Sequence, residues 1–268
     1  MILVTGNSGY IGSHLTKLLS ENHTVYGLDK NDPIIPVTKF YKHDITNDNF
    51  EIKEVFDCVI HLAAKVSVGE SVNNPWLYYN TNIIGTHNVM KNIRTKHFIL
   101  ASTGCVEYMS SPYALSKKAA EDITQEHKSA FTIFRFYNVI GSTCREPTNP
   151  DGLLWNLVQA KKTGTFNLYG NDYNTKDGSA IRDYLHVNEV CKSIEKIVYN
   201  PTNNIENLGH GRGLSVKEMI RLFKEVNNCD FDVVIKPRRN GDLESSVLKN
   251  ISNHMTTIYD LKDYFKGM

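Results

Sequence analysis

Three glycines near the amino terminus constrain the fold of this sequence more than any other feature. The chain begins MILVTGNSGYIGSHLTKLLSENHTVYGLDK, in which residues 2–5 are aliphatic or β-branched and predict a buried strand. Gly6, Gly9 and Gly12 follow, and the apolar residues after them repeat with helical periodicity. A second predicted strand ends at Asp29. The order of strand, glycine turn, helix, strand and acid predicts the first unit of a nucleotide-binding sheet.

The glycine turn and Asp29 together suit a dinucleotide. Glycine lets the backbone turn tightly and approach a pyrophosphate, whose charge then lies at the helix amino terminus. The acid can accept hydrogen bonds from the adenosine ribose, whereas it would repel a 2′-phosphate, so NAD is favoured over NADP. The alternative is a glycine turn in an unrelated strand–helix unit, and the ordered set of features argues against it.

The remainder of the first half alternates between predicted strands and helices. Strands are predicted at residues 55–64, 96–103 and 130–139, and helices at residues 74–93 and from about Pro112. This alternation predicts an α/β fold with a doubly wound parallel sheet, in which ligands bind at the carboxyl ends of the strands. The residues at those ends are Asp44, Ala63, Ala64, Ser102 and Thr103.

Tyr113 and Lys117 are candidate acid–base residues. Ser111 and Pro112 are typical of a helix start, and residues four apart in a helix share one face. A tyrosine that acts as a base near pH 7 needs its pKa lowered by about three units, or about 4 kcal/mol. An ammonium at about 4 Å contributes on the order of 4 kcal/mol. We therefore expect Lys117 and a bound nicotinamide cation to ionise Tyr113, while Thr103 hydrogen-bonds the reacting substrate oxygen.

The same Tyr-x-x-x-Lys spacing occurs at Tyr26 and Lys30, where the surrounding residues predict a strand that runs into a loop. We interpret this second copy as a core tyrosine followed by a loop lysine. Spacing alone leaves the alternative that Tyr113 and Lys117 are two surface side chains on one helical face.

Composition excludes several classes of function. The 268 residues carry a formal net charge of +1 and no run of basic residues longer than two, so no nucleic-acid partner is expected. No apolar run approaches the roughly 18 residues that span a bilayer, so no membrane is expected either. The five cysteines are scattered without a Cys-x-x-Cys pair, which favours a reducing cytosol over a disulfide framework. The ten histidines lack metal-ligand spacing, and no metal is expected.

These motifs resemble those of the extended short-chain dehydrogenases/reductases and, within them, the UDP-glucose 4-epimerase family. VTGNSGYIGSHL is similar to the family's nucleotide fingerprint, PYALSK to its tyrosine–lysine motif, and YGNDYNTKDGSAIRDYLHV to a segment typical of hexose epimerases. RFYNVIG, NLGHGRGLSV and RRNGD follow in family order, so the resemblance covers essentially the whole chain. It implies an NAD-binding Rossmann domain in residues 1–150, to which segments near 183–210 return. A smaller C-terminal α/β domain, mainly for nucleotide-sugar binding, is implied in residues 151–268.

The resemblance also implies a reaction, which is C4 epimerisation of a UDP-hexose by transient hydride transfer to NAD. Tyr113, Lys117 and Thr103 are the implied catalytic residues. The implied cofactor-binding residues are Gly6, Gly9, Tyr10, Ile11, Gly12, Asp29, Asp44, Ile45, Leu62, Ala63, Ala64, Asn82, Ser102, Tyr113 and Lys117. The implied substrate-binding residues are Thr103, Asn138, Asn156, Asn167, Tyr169, Arg182, Arg239, Asp242 and Ser246. A homodimer formed through the helices near 75–93 and 112–128, and a cytoplasmic location, are implied by the same analogy.

Two departures from the family pattern concern the sugar. Only nine residues separate Thr103 from Tyr113, where relatives carry a longer insertion, and residues 106–108 read Val-Glu-Tyr where Val-Tyr-Gly is usual. Part of the sugar pocket is therefore expected to be more open. Ser246 falls near a position at which a bulky tyrosine restricts some epimerases to non-acetylated sugars. UDP-N-acetylglucosamine and UDP-N-acetylgalactosamine therefore join UDP-glucose and UDP-galactose as expected substrates.

Sister activities are the main alternatives. Related dehydratases carry an Asp-Glu pair directly after the strand's serine or threonine, and the corresponding sequence here is STGCVEY, in which Glu107 is a single carboxylate. Another NAD-dependent nucleotide-sugar dehydratase or reductase is thus the second hypothesis. A nonenzymatic NAD-binding sensor is the third, and it is less favoured because both the tyrosine and the lysine are present.

Overall fold

Seven parallel strands form the main sheet of the computed structural model, which describes residues 1–142, 144–239, 241–250, 259–266 and 268. From one edge to the other the strands are β10 (Asn204–Leu208), β6 (Ala130–Phe136), β5 (Ile93–Thr103), β4 (Ile52–His61), β1 (Ile2–Thr5), β2 (Val25–Asp29) and β3 (Lys39–Lys42). Every neighbouring pair is parallel. The predicted doubly wound α/β fold is confirmed.

Helices pack on both faces of this sheet and in a second core farther along the chain. They are α1 (Tyr10–Leu19), α2 (Val68–Asn73), α3 (Pro75–Tyr78), α4 (Gly85–Asn92), α5 (Pro112–Gln125), α6 (Leu153–Thr163), α7 (Val187–Ile197) and α8 (Val216–Asn227). Because side chains alternate along a strand, Ile2 and Val4 pack with α1 and α7, whereas Leu3 packs with α4 and α5 on the other face. Among the described residues, none of the helices has the length and apolar character needed to cross a membrane.

The helix predicted for residues 74–93 has three parts. Between α3 and α4 the backbone is π-helical over Tyr79–Ile84. Asn82 lies inside this stretch and its side chain exchanges hydrogen bonds with the backbone of Lys65, at 2.8 Å from Lys65 N and 3.0 Å to Lys65 O. An inserted π turn re-aims side chains that regular helical spacing would direct elsewhere, and periodicity in the sequence does not reveal it.

The strand predicted for residues 130–139 is also divided. β6 ends at Phe136, and Asn138–Ile140 forms a separate strand, β7, that pairs with β9 (Ile181–His186) outside the main sheet. The apolar run continues through the break, so the pattern could not show where the chain changes sheets.

The second half builds two smaller sheets. β9 also pairs with β11 (Gly213–Ser215) and β13 (Ser245–Ser246), while β8 (Thr165–Tyr169) pairs with β12 (Asp232–Lys236). A separate apolar core, which includes Leu157 and Phe223, lies among these elements, α6 and α8. Because α7 packs on α1 and β10 joins the main sheet, residues 187–208 contribute to the apolar core of the main sheet. The division into two domains stays a prediction.

Candidate active site

A cleft of about 530 Å³ opens at the carboxyl ends of β1, β4 and β5 and extends to the smaller sheets. Many of the sequence-predicted site residues line it. They are Gly6, Gly9, Tyr10, Ile11, Gly12, Leu62, Ala64, Ser102, Thr103, Tyr113, Lys117, Asn138, Asn156, Asn167, Tyr169, Arg182, Arg239, Asp242 and Ser246.

The glycine loop leaves backbone exposed to the cleft. Gly6 has φ +73°, a conformation that side-chain-bearing residues rarely adopt, and a Cβ there would lie 2.6 Å from Ala63 N. A Cβ on Gly12 would lie 2.0 Å from the carbonyl oxygen of Gly6. Gly9 precedes α1 and donates its N–H to Gly6 O at 2.9 Å. These close approaches require glycine and hold the amino terminus of α1 toward the cleft.

Asp29 ends β2 beside this loop. Its carboxylate accepts hydrogen bonds from Ser8 N at 3.1 Å and from Asn31 N at 2.9 Å, which fixes its orientation. The carboxylate is half-buried and lies outside the lining of the cleft described above. An acid held in this way beside a glycine loop suits the hydroxyls of an adenosine ribose.

Tyr113 and Lys117 lie on the buried face of α5. Ser111 caps the helix by accepting a hydrogen bond from Ala114 N at 3.2 Å, and Pro112 is the first helical residue, as predicted. Tyr113 is 8% exposed and Lys117 4% exposed. The reading of this pair as surface side chains is therefore wrong. Thr103, at the end of β5, lines the same part of the cleft.

Burial influences the charges at this end of the cleft. Burial raises the pKa of Tyr113 above its usual range, and a hydrogen bond with the Thr103 hydroxyl acts in the opposite direction. The Lys117 ammonium donates to Ala101 O at 2.9 Å. Burial lowers the pKa of Lys117 to about 8, although the carboxylate of Glu121 opposes this effect. Burial therefore favours the neutral phenol near pH 7, and added positive charge would favour its ionisation.

The second Tyr-x-x-x-Lys copy places its tyrosine against aromatic rings and its lysine in solvent. Tyr26 packs against the rings of Tyr41 and Phe56, with centroids 6.4 and 5.4 Å away. Lys30 is 61% exposed and lies 3.9 Å from Asp44. The interpretation as a core residue followed by a loop residue is confirmed.

Arg182 and Arg239 converge on the far end of the cleft. Arg182 Nη2 lies 3.9 Å from Asp242 Oδ1, and Arg239 stacks over the ring of Tyr169 at 3.8 Å. Arg239 also donates to the carbonyl oxygen of Asp151 at 3.3 Å. Burial raises the pKa of Asp242, and the two arginines oppose that effect. Two guanidinium groups on one cleft can bind a diphosphate through charge-assisted hydrogen bonds.

Other predicted site residues have partners within the protein. Asp44 is exposed and accepts hydrogen bonds from Thr46, whereas Ile45 is part of the core. The residues that line the cleft do not include Asp44, Ile45, Ala63 or Asn82. Ser102 lines it but donates its hydroxyl to Glu121. Asn138 donates to Asp183 O at 3.3 Å. Asn156 donates to Pro150 O and Gly152 O at 2.7 and 2.8 Å. The ligand-binding roles of these residues stay predictions.

Comparison with known proteins adds an independent line of support. The model of the NAD dependent epimerase/dehydratase family matches residues 2–209. The chain belongs to this epimerase/dehydratase family. It is 33% identical to the UDP-glucose 4-epimerase GEPI42 of Cyamopsis tetragonoloba, over 90% of this chain and 84% of that protein.

Solved structures of other family members have the same fold. The UDP-glucose 4-epimerase of Bifidobacterium longum, solved in complex with NAD+ and UDP, is 26% identical with a TM-score of 0.85 and covers 98% of this chain and 95% of its own. The enzyme of Thermotoga maritima, solved with UDP-glucose, is 26% identical with a TM-score of 0.83 and covers 99% of this chain and 96% of its own. The predicted family is confirmed.

The family's cofactor suits the residues present in this member. The glycine loop offers open backbone at the amino terminus of the ten-residue helix α1, where the pyrophosphate of a dinucleotide is favoured. Asp29 ends β2 beside this loop, and its negative charge would disfavour a 2′-phosphate. No group of three or more His, Cys, Asp or Glu residues in the described part of the chain has the arrangement of a metal site, and the expectation of no metal stays a prediction.

Sequence reasoning missed several residues of this family member's cleft. Tyr137 lines it and packs its ring so closely on Gly104 that a Cβ on this glycine would lie 2.7 Å from the ring. Asp151 lines it and accepts a hydrogen bond from Ser67. Glu121 lies behind it, on the face of α5 that carries Lys117. Of these three residues, only Glu121 could have been found from the sequence, because an acid four residues after a lysine lies one helical turn away from it.

Proposed function

We propose that this protein is an NAD-dependent isomerase that inverts C4 of a UDP-hexose. One observation carries the proposal: a buried tyrosine, lysine and threonine line the same cleft as a glycine loop at one end and two converging arginines at the other. The family relationship and the UDP-glucose 4-epimerases among its relatives support the same reaction.

The chemistry needs a proton acceptor and a hydride acceptor. NAD, when bound, would accept the C4 hydride and later return it, and its positive charge would favour ionisation of Tyr113. Tyr113 as phenolate accepts the proton of the C4 hydroxyl as C4 loses its hydride, and the two losses together leave a 4-keto sugar. Tyr113 returns that proton to the oxygen when C4 regains hydride on its opposite face. Thr103 orients the reacting oxygen, and Lys117 contributes positive charge one helical turn from Tyr113.

The nucleotide end anchors the substrate while the sugar turns over. Arg182 and Arg239 bind the diphosphate and Asp242 the uridine ribose, with Asn138 beside the sugar nucleotide. Binding energy from this remote part of the substrate compensates for loose contacts to the hexose, which must present both faces of C4. This role is supported because both arginines line the cleft. Each already lies near an oxygen acceptor there, Asp242 for Arg182 and the carbonyl of Asp151 for Arg239.

The hexose includes the N-acetylated sugars. Ser246 lines the cleft, is 7% exposed and pairs with Arg182 along β13 and β9. A hydroxymethyl side chain leaves more space there than a tyrosine ring. Substitution Ser246→Tyr is expected to abolish turnover of the acetylated substrates and to retain turnover of UDP-glucose. Wild-type protein that fails to turn over either acetylated substrate contradicts this part of the proposal.

The protein forms a homodimer through α3–α5. Exposed apolar side chains lie on these helices, among them Trp76 at 79%, Ile84 at 47% and Leu115 at 42%. Substitution Trp76→Asp is expected to give monomers in sedimentation velocity, whereas Tyr199→Asp, on an exposed tyrosine outside these helices, retains dimers. A monomeric wild type contradicts the assembly. A cytosolic location is proposed from the scattered cysteines.

The reaction is tested with purified protein and four substrates, UDP-glucose, UDP-N-acetylglucosamine and their C4 epimers. The expected result is interconversion at C4 without consumption of NAD, with nicotinamide dinucleotide released when the protein is denatured. Chromatography of the products distinguishes the alternatives. A 4-keto or deoxy product indicates a dehydratase or reductase, and no turnover of any of the four overturns the proposal.

A further inference from the structure

We propose that Glu121 is a positioning residue for the reaction, which keeps Lys117 protonated and ties it to the strand that carries Thr103. The kinetic part of this inference rests on the proposed epimerase activity, whereas its spectroscopic part concerns the protein alone. Glu121 is not among the residues that the sequence motifs single out.

The carboxylate of Glu121 joins three elements in the core. It is fully buried, and it lies on α5 one turn after Lys117. Arg135 binds it with two hydrogen bonds, from Nε to Oε1 at 2.9 Å and from Nη2 to Oε2 at 2.7 Å. The hydroxyl of Ser102 also donates to Oε1. Both carboxylate oxygens are thus satisfied, and the group is held in one orientation.

The strand partners of Glu121 lie next to the reacting residues. Ser102 and Arg135 are opposite each other in the β5–β6 pair, and Ser102 immediately precedes Thr103. Lys117 donates to the carbonyl oxygen of Ala101 in the same strand. A shift of Glu121 would therefore move α5 relative to the end of β5, and with it Lys117 relative to Thr103.

Among the described residues, Glu121 is the negative charge that raises the pKa of Lys117. Tyr113 on the same helix carries a neutral phenol near pH 7, because burial raises its pKa. His61, from β4, is neutral as well, because burial and the Lys117 ammonium lower its pKa to about 3. Arg135 adds positive charge behind Glu121. Burial lowers the pKa of Lys117 to about 8 even with the carboxylate present, so its loss would leave the lysine mostly neutral at physiological pH.

A purely structural ion pair is the competing explanation. Buried Arg–Glu pairs can hold elements together without influencing a reaction, and breaking one destabilises a protein in any case. The two explanations differ in one readout. A structural pair affects stability at every pH, whereas a residue that keeps Lys117 charged moves the pH range in which that lysine titrates.

The test compares Glu121→Gln with Glu121→Asp in the NAD-loaded enzyme. The Lys117 titration is followed by NMR of lysine labelled with carbon-13 at Cε, assigned with Lys117→Arg. In Glu121→Gln we expect the titration midpoint to fall by about one pH unit. Relative to wild type, turnover should then fall about fivefold at pH 8 and hardly at pH 6, since the protonated fractions differ mainly at the higher pH. Glu121→Asp keeps the charge and should retain a midpoint close to that of wild type.

A double variant keeps the proposal testable if Glu121→Gln fails to fold with Arg135 unpaired. Glu121→Gln/Arg135→Gln removes both charges, and the Lys117 midpoint is expected to fall in it by less than one unit. An unchanged Lys117 midpoint in either folded variant overturns the proposal, as does a loss of turnover that is equal at pH 6 and pH 8. Absence of UDP-hexose turnover in the wild type refutes the proposed function instead, and leaves the NMR titration to decide the role of Glu121.

Discussion

The two ends of the cleft are built in opposite ways. At the end formed by α5 and β5, the polar groups are buried and well bonded: Lys117 contacts Ala101 at 2.9 Å, and Glu121 has both oxygens occupied. At the end formed by the smaller sheets, the arginines hydrogen-bond to backbone oxygens. Arg182 donates to Ile181 O at 2.8 Å and lies 3.9 Å from Asp242, while Arg239 donates to Asp151 O at 3.3 Å.

This difference separates a preorganised end from a ligand-dependent end. Groups that are already fixed need no rearrangement when charge develops in a transition state, which favours catalysis. Arginines whose hydrogen bonds go to neutral backbone oxygens gain charge-assisted hydrogen bonds when a diphosphate binds, which favours binding. We therefore expect substitutions at the first end to lower kcat and substitutions at the second end to raise KM.

The largest expected effect is that of Tyr113→Phe at the preorganised end. Removing the proton acceptor is expected to lower kcat about a thousandfold, or by about 4 kcal/mol, with KM nearly unchanged. The matched control is Tyr26→Phe, which alters the same residue type in the second Tyr-x-x-x-Lys copy and should turn over like wild type. Equal losses in the two variants would show that the buried pair has no special role.

Arg239→Met tests the ligand-dependent end. Loss of one charge-assisted contact of about 2 kcal/mol is expected to raise KM about thirtyfold and to leave kcat within a factor of about three. Arg238→Met is the matched control, because the neighbouring Arg238 stacks on Tyr173 at 4.1 Å, pairs with Asp172 and does not line the cleft. A fall in kcat larger than the rise in KM contradicts the division between the two ends.

The sequence predicts the local structure of the preorganised end better than it predicts the pKa values of the residues there. Local rules suffice for the glycine turn, the Ser111 cap and the shared face of Tyr113 and Lys117, since each depends on residues within one or two turns of the chain. They did not reveal the direction of the Tyr113 pKa, because burial, which raises it, is a property of the whole fold. The place of Arg135 was equally hidden, since it depends on the β5–β6 register.

The ligand-dependent end could be inferred only from resemblance. Arg182 and Arg239 are 57 residues apart in the numbering and line one cleft through the tertiary fold, which no local pattern encodes. The break between β6 and β7 was missed for a similar reason. A strand that changes sheets keeps its apolar residues, and only the partner strand differs.

A smaller effect concerns the stability of the preorganised end in acid. His61 is 1% exposed between Thr5 and Thr86, and its pKa is lowered to about 3. Between pH 6.5 and 3 the unfolded chain binds a proton at this residue and the folded chain does not. The contribution of neutral His61 to the free energy of unfolding is therefore complete above pH 6.5 and decreases as the pH falls below that value. At pH 5.5 the loss is about 1.4 kcal/mol relative to pH 7.5. His61→Asn cannot titrate, and its free energy of unfolding should fall less over this interval. An equal fall in both proteins contradicts the assignment.

The smallest expected effect comes from the hydrogen bond that joins the two ends. Ser67, before α2, donates its hydroxyl to the carboxylate of Asp151, and Asp151 in turn accepts the Arg239 contact through its carbonyl. Ser67→Ala removes this hydrogen bond, of about 1 kcal/mol, together with the cap that Ser67 Oγ provides by accepting from Glu70 N at 2.9 Å. Loss of the bond to Asp151 should raise KM about fivefold while kcat stays near the wild-type value. Ser71→Ala is the control, since Ser71 donates only within α2, to Val68 O at 2.6 Å. If KM is the same in the two variants, then Ser67 serves only its own helix and the ends of the cleft are independent. If kcat falls while KM rises in Ser67→Ala alone, the ligand-dependent end helps to order the preorganised end. The separation between binding and catalysis is then incomplete.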